Sequence, residues 1–313
     1  MLTRRQLRIK VMQALFYFQR QNDAEMKDLE KFLNTSITQT YVLFLYMLQL
    51  LVAIHELAVE RHAQTQKRHL ATDEERNPST HMLDNWILRK LSESKVIKDA
   101  LERRKLNPWH LDSNYVVKLY NEIVSSKTFI LYTSTSNPSR KEDLIFLLDI
   151  YQQIIAPNDD VLNYLEDHGI TWVDDYPLVN SAMIQFLRKI KPSKAVTLPD
   201  LVKDPEDTKF ALELFRKTVL NYPELKLILA GKTPNWDKER IAQIDQVLII
   251  MAQSEFLYFP LIPVKVSLNE YLEIAKDYSS PKSSTFINGI LDNMLKEFQS
   301  KDQINKIGKG LLQ

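Results

Sequence analysis

The sequence predicts an all-α fold, on three observations. Only 5 of the 313 residues are glycine, about 1.6% against a usual ~7%, and β-hairpins and nucleotide-binding loops both lean on glycine. Apolar residues make up 44% of the chain, enough for a sizeable core, and they recur at three- and four-residue steps. The breaks between these periodic segments are proline-bearing or polar stretches.

The first predicted helix, 3–20, reads TRRQLRIKVMQALFYFQR. Leu7, Val11, Ala14, Leu15 and Phe18 form its apolar stripe. It carries Arg4, Arg5, Arg8, Lys10 and Arg20 and no acid. Four of these cations stand at the helix start, where the backbone dipole is already positive and carboxylates would be the stabilising choice. The arrangement therefore calls for an anion supplied from elsewhere.

The second predicted helix, 37–67, contains YVLFLYMLQLLVAIHEL, Tyr41–Leu57. Its mostly apolar run is interrupted by Gln49 and falls short of the ~20 residues a bilayer crossing needs. A buried core helix is expected, with no membrane span. Further helices are expected at 80–105, entered through NPST (Asn77–Thr80), and at 112–131. STSNPSRKED (Ser134–Asp143) is a polar connector into 140–155, followed by 159–167 and 177–190. KIKPSKAVTLPDLVKDPED (Lys189–Asp207) holds three prolines and is the longest irregular stretch.

Helices 206–221 and 223–230 follow. The next, 236–258, has Asn235 as N-cap, Asp237 and Glu239 in its first turn, and an apolar face of Ile241, Ile244, Val247, Leu248 and Met251. Ser267 and Glu270 have the spacing of a capping box for 268–277. In 284–299, Phe286, Ile290, Met294 and Phe298 share a face. Gly289 costs that helix about 1 kcal/mol relative to alanine, which predicts close backbone packing against a neighbour. The tail 300–313 is polar, holds Gly308 and Gly310, and is expected to fray.

Composition excludes several classes. With 41 basic and 40 acidic residues the net charge is +1, so a polyanion site must be a local concentration of charge. The mixed-charge stretch Glu60–Lys105 reads as a solvated face. The absence of cysteine excludes disulfides, thiolate zinc sites and thiol catalysis, and fits a reducing cytoplasm. No signal-peptide pattern opens the chain. His55, His62 and His69 are spaced by seven, about 10 Å apart on a helix and too far for one metal ion. The acid pairs Glu74–Glu75, Asp159–Asp160 and Asp174–Asp175 sit at helix starts or loops. No nucleophile, base and oxyanion donor assemble, so neither an enzyme nor a cofactor is expected.

Four ordered blocks carry a resemblance: RRQLRIKVMQALFYFQ near the start, then NWDKERIAQIDQVLIIMAQSE, IPVKVSLNEYLEIAKDY and FINGILDNML. Together they resemble the NusB family of transcription antitermination factors. The resemblance covers 1–20 and 206–299, which would form an RNA-binding helical domain. Residues 25–200 resemble the long helical insertion of some members, and 300–313 would be a flexible tail. The family fold is an all-α helical bundle.

The resemblance implies a non-catalytic, cytoplasmic protein that binds boxA-like single-stranded RNA in ribosomal RNA leaders. It would act with NusE, a small-subunit ribosomal protein, in an RNA polymerase antitermination complex. The anion sought by the first helix would then be RNA phosphate. By position, Arg4, Arg5, Arg8, Gln13 and Phe16 match the family's first RNA-side helix, with Lys10 beside them, and Phe286 and Asn288 match a second RNA-side element. Glu239 and Asp245 match acids presented to a basic partner. The loop DYSSPKSS departs from the family pattern, and its Lys282 would add a cation if it flanks RNA. The chain stops about 15 residues after the last family helix, which leaves no room for the methyltransferase domain that accompanies this fold in some enzymes. The alternative is a protein–protein scaffold acting mainly through the insertion.

Overall fold

A computed structural model describes residues 1–20, 25–66, 79–232 and 242–311. The secondary structure of its described residues is helical, with 190–204 irregular, a single isolated bridge between Leu2 and Val202 and no strand. The chain divides into two compact units. The central unit comprises Met1 and Thr38–Leu201, and the terminal unit comprises Leu2–Ile37 and Val202–Gln313. The boundary between the two units thus falls at Ile37–Thr38, within a helix, whereas the sequence predicts an insertion over 25–200.

That helix, α2 (Met26–Gln66), starts earlier than its predicted 37. It is long and apolar enough to cross a membrane by composition alone. Its apolar stretch is instead the core of the central unit: Leu43, Phe44, Leu45, Met47, Leu48, Leu50 and Leu51 are at most 1% exposed. Phe186 meets Phe44 edge-on at 5.5 Å and Trp172 meets Tyr46 at 4.8 Å.

Around α2 stand α3 (His81–Asp84), α4 (Trp86–Ser92), α5 (Lys95–Arg103), α6 (Pro108–Leu111), α7 (Ser113–Ser125) and α8 (Lys127–Thr133). They are followed by α9 (Arg140–Ile150), which ends in a π-helical turn at Tyr151–Ile155, then α10 (Asp159–His168) and α11 (Trp172–Lys189). The predicted helices 80–105 and 112–131 are each broken. Side chains of Asn85, Ser94 and Ser126 accept from backbone N–H groups two or three residues on, and so start new helices. Short polar side chains compete with the helix ladder in this way, and apolar periodicity does not reveal it. Asp175 stands in the first turn of α11, as expected, and is also buried, accepting from Thr40 Oγ1 at 2.8 Å.

The terminal unit holds α1 (Arg4–Phe18), α12 (Pro205–Leu220), α13 (Tyr222–Lys232), α14 (Gln243–Tyr258), α15 (Val264–Tyr278) and α16 (Ser283–Ser300). Helix α14 is the axis: every residue from Val247 to Phe256 is buried, and α1, α12, α13, α15 and α16 all pack on it. A helix apolar on most sides belongs in a core. Asn235, expected as its N-cap, lies outside the described residues.

Three expectations fail here for identifiable reasons. A Cβ at Gly289 would meet nothing within 4 Å, so this exposed glycine is not a close-packing device. Ser267 does not cap, because α15 starts at Val264 after Pro263. Its hydroxyl lies inside the unit and donates to Glu255 Oε1 at 2.6 Å. Within the tail expected to fray, residues 306–310 are docked. Ile307 N donates to Pro260 O at 3.0 Å, and Lys306 Nζ donates to the carbonyls of Phe259 (2.8 Å) and Glu255 (3.1 Å) at the end of α14. A cation there complements the helix dipole. Gly308 has φ +54°, and a Cβ at Gly310 would stand 1.9 Å from Pro260 O. Both glycines therefore serve the docking.

Gly310→Val should release the tail without unfolding the unit. Limited proteolysis should then cut near Ile307 while circular dichroism stays unchanged; a tail as resistant as wild type would contradict the docking. Burial pulls the Lys306 amine down to about 8, against the opposing charge of Glu255. The unfolded chain holds that proton more tightly, so docking should strengthen as pH rises from about 8 toward the ordinary 10.5. A Lys306 Cε NMR titration should show a midpoint near 8, and a midpoint near 10.5 would contradict the enclosure.

Candidate nucleic-acid interface

The acid-free start of α1 obtains its acids from the other helices of its unit. Arg4 Nε donates to Asp207 Oδ1 of α12 at 2.7 Å. Arg5 grips Glu270 of α15 with two hydrogen bonds, Nε–Oε2 3.1 Å and Nη2–Oε1 2.8 Å, and approaches Glu273 at 3.9 Å. Arg8 grips Glu255 of α14 in the same forked way, at 2.9 and 2.6 Å, and lies 3.7 Å from Glu270. The Phe210 ring lies between two of these guanidiniums, 5.2 Å from Arg4 Cζ and 5.0 Å from Arg8 Cζ.

Burial divides the group. The Arg8 side chain is 2% exposed and that of Glu255 0%. Glu255 also accepts from Ser267 Oγ and from Tyr271 Oη at 2.9 Å, so its lone pairs are well satisfied. Burial would pull the Arg8 guanidinium down, but the charge and hydrogen bonds of Glu255 outweigh it and hold the group above its ordinary value. Burial pushes the Tyr271 hydroxyl far above its usual range. Hydrogen bonding from Arg5 holds the Glu270 carboxyl below the usual carboxylate range. The side chains of Arg4 and Arg5 remain 48% and 38% exposed. An arginine has five N–H donors, so each keeps donors beyond those its carboxylate takes.

The other predicted contacts separate in the same manner. Lys10 is 1% exposed and enclosed like Arg8. Gln13 is half-buried along α1. Phe16 is half-buried, with the Arg20 guanidinium stacked 4.3 Å above its ring. Beside it Tyr17 is exposed and stacks on Phe32 at 4.6 Å and 15°. Lys282 is exposed at the N-cap of α16 and has no ion-pair partner among the described residues. Phe286 is half-buried one turn on, and Asn288 gives its amide to Asp292 at 3.3 Å.

Asp245 is not the exposed acid the sequence suggested. It is 4% exposed and accepts from Ser279 Oγ, whose oxygen lies in hydrogen-bond contact with Ser283 Oγ at 2.9 Å. It therefore anchors the DYSSPKSS loop from within. Glu239 lies outside the described residues.

Sequence reasoning missed Asp207, Phe210, Glu255, Tyr271 and Glu273. One local signal existed: Glu255 stands inside the apolar run QVLIIMAQSEFLYF, where a charge has to be paired to be tolerated.

The NusB family model matches residues 181–296. The transcription antitermination protein NusB of Salinibacter ruber is 43% identical over 112 residues, 36% of this chain and 70% of that protein. The NusB protein of Chloroherpeton thalassium is 38% identical over 39% of this chain and 58% of its own length. That of Methylacidiphilum infernorum is 33% identical over 38% and 89% respectively. No solved structure matches. With the terminal unit built of helices in this order, the chain belongs to the NusB family.

Proposed function

We propose that this chain is a non-catalytic, cytoplasmic RNA-binding transcription antitermination factor, in line with the names its relatives bear. Its RNA would be boxA-like single strand from a ribosomal RNA leader, bound together with NusE as part of an RNA polymerase antitermination complex. The observation that carries the reading is the pair of exposed guanidiniums, Arg4 and Arg5, held at the N-terminal end of α1 in a NusB-family unit. Helix N-termini and arginine forks both suit phosphate.

The acids around them set the terms. Asp207, Glu270 and Glu273 balance Arg4 and Arg5, so the patch is pre-positioned rather than strongly positive. Affinity then needs base stacking as well as phosphate contact. The Phe16–Arg20 stack and exposed Tyr17 offer such faces, and Gln13, Lys282, Phe286 and Asn288 extend the proposed contact set. Arg8 and Lys10 support it from inside by fixing α1. For NusE, Glu239 remains the proposed facing acid, while Asp245 acts through the loop it holds.

Titrating boxA-like RNA into the protein with NusE present tests this. Arg4→Ala/Arg5→Ala should weaken binding and flatten the plot of log affinity against log salt by about 1.4, roughly 0.7 per lost phosphate contact. An unchanged slope and affinity would remove α1 from the interface.

A further inference from the structure

The central unit contains a cleft of about 440 Å³ that the RNA reading leaves unused. Its walls are α2, the α4–α5 corner and the α6–α7 corner. Its floor is apolar, with Val52, Leu91, Ile97, Trp109 and Val116 buried beneath it. This volume and lining are those of a small-ligand site.

Three polar side chains of α2 line the cleft: Gln49, Glu56 and Glu60. Steps of seven and four place them on one helix face, along roughly 16 Å at 1.5 Å per residue. All three present acceptors. Gln49 gives Nε2 to Asn107 Oδ1 at 2.9 Å, while its Oε1 is enclosed with no donor among the described residues. Glu60 accepts from Gln64 Nε2, a neutral donor, at 2.9 Å. Glu56 has neither a hydrogen-bond nor an ion-pair partner among the described residues. Two carboxylates four residues apart repel each other on a helix. Lys98, the lysine of the α5 wall, forms no ion pair with either among the described residues. The cleft thus holds an excess of acceptors and negative charge along one wall, above an apolar floor.

We propose that this cleft binds a small amphiphilic amine. Its ammonium meets the Glu56 and Glu60 carboxylates, and its chain lies on the apolar floor toward the Gln49 carbonyl. The charge balance along α2 favours this over an anion, and the volume of the half-open cleft, with Glu56 and Glu60 exposed at its rim, suits a small molecule. A zwitterion would additionally recruit Lys98, and that difference is measurable.

Hexylamine is the probe, with hexanol and hexanoate as neutral and anionic controls, each titrated into the full chain by NMR. Hexylamine should bind, with hexanol and hexanoate each at least roughly fivefold weaker, as loss of rim ion pairs implies. Glu56→Gln should weaken hexylamine roughly two- to fivefold, and Lys98→Met should strengthen it by removing a competing cation. Ala53→Phe should fill the cleft and block binding. The two rim substitutions keep the test decisive even if the filled variant misfolds. Equal binding of hexanol, stronger binding of hexanoate, weaker hexylamine binding by Lys98→Met, or no binding of any probe would each overturn the proposal.

Discussion

A buried ion pair between Arg8 and Glu255 organises the terminal unit. Taking both charges out of water is costly, and attraction offsets that cost only when geometry is good and remaining lone pairs are satisfied. Both conditions are met: the guanidinium is forked onto the carboxylate at 2.6 and 2.9 Å, and Ser267 and Tyr271 complete the carboxylate's shell. The pair and its two hydroxyls join α1, α14 and α15. Arg5 with Glu270 and Arg4 with Asp207 extend the network outward, and Phe210 fills the space between guanidiniums.

This constraint explains the unusual opening of the chain. A helix start rich in arginine and free of acid is unfavourable alone, but the partners on α12, α14 and α15 fix its position and register. The outer arginines are consequently presented in a set orientation to whatever anion approaches. They are also largely neutralised, so recognition of RNA would rest on placement and stacking more than on raw positive potential.

Much of the architecture was legible because it is local. Glycine scarcity and apolar periodicity give an all-helical chain, and the ordered blocks from Asn235 to Phe298 give the family. What escaped was long-range. Ser267 and Glu270 have the spacing of a cap, yet each is recruited by an arginine-centred network more than 240 positions away in the chain. The phosphate expected beside Arg8 has its place taken by a carboxylate from α14. Gly308 and Gly310 look like a loose tail until Pro260 comes against them. Asn85, Ser94 and Ser126 break helices through single side-chain bonds that hydrophobic period ignores. At the candidate site the residue types were readable, but which cations are enclosed and which are exposed depends on the packing of four helices.

The most direct measurement is amide hydrogen exchange along α1 and α14 in Arg8→Met, which leaves Glu255 buried without its cation. Breaking a buried pair this way costs about 3–5 kcal/mol, so exchange there should speed up by roughly two to four decades, while the part of α2 in the central unit, from Thr38 on, keeps its protection. Exchange in α1 and α14 within about threefold of wild type would mean that the terminal unit does not depend on this pair.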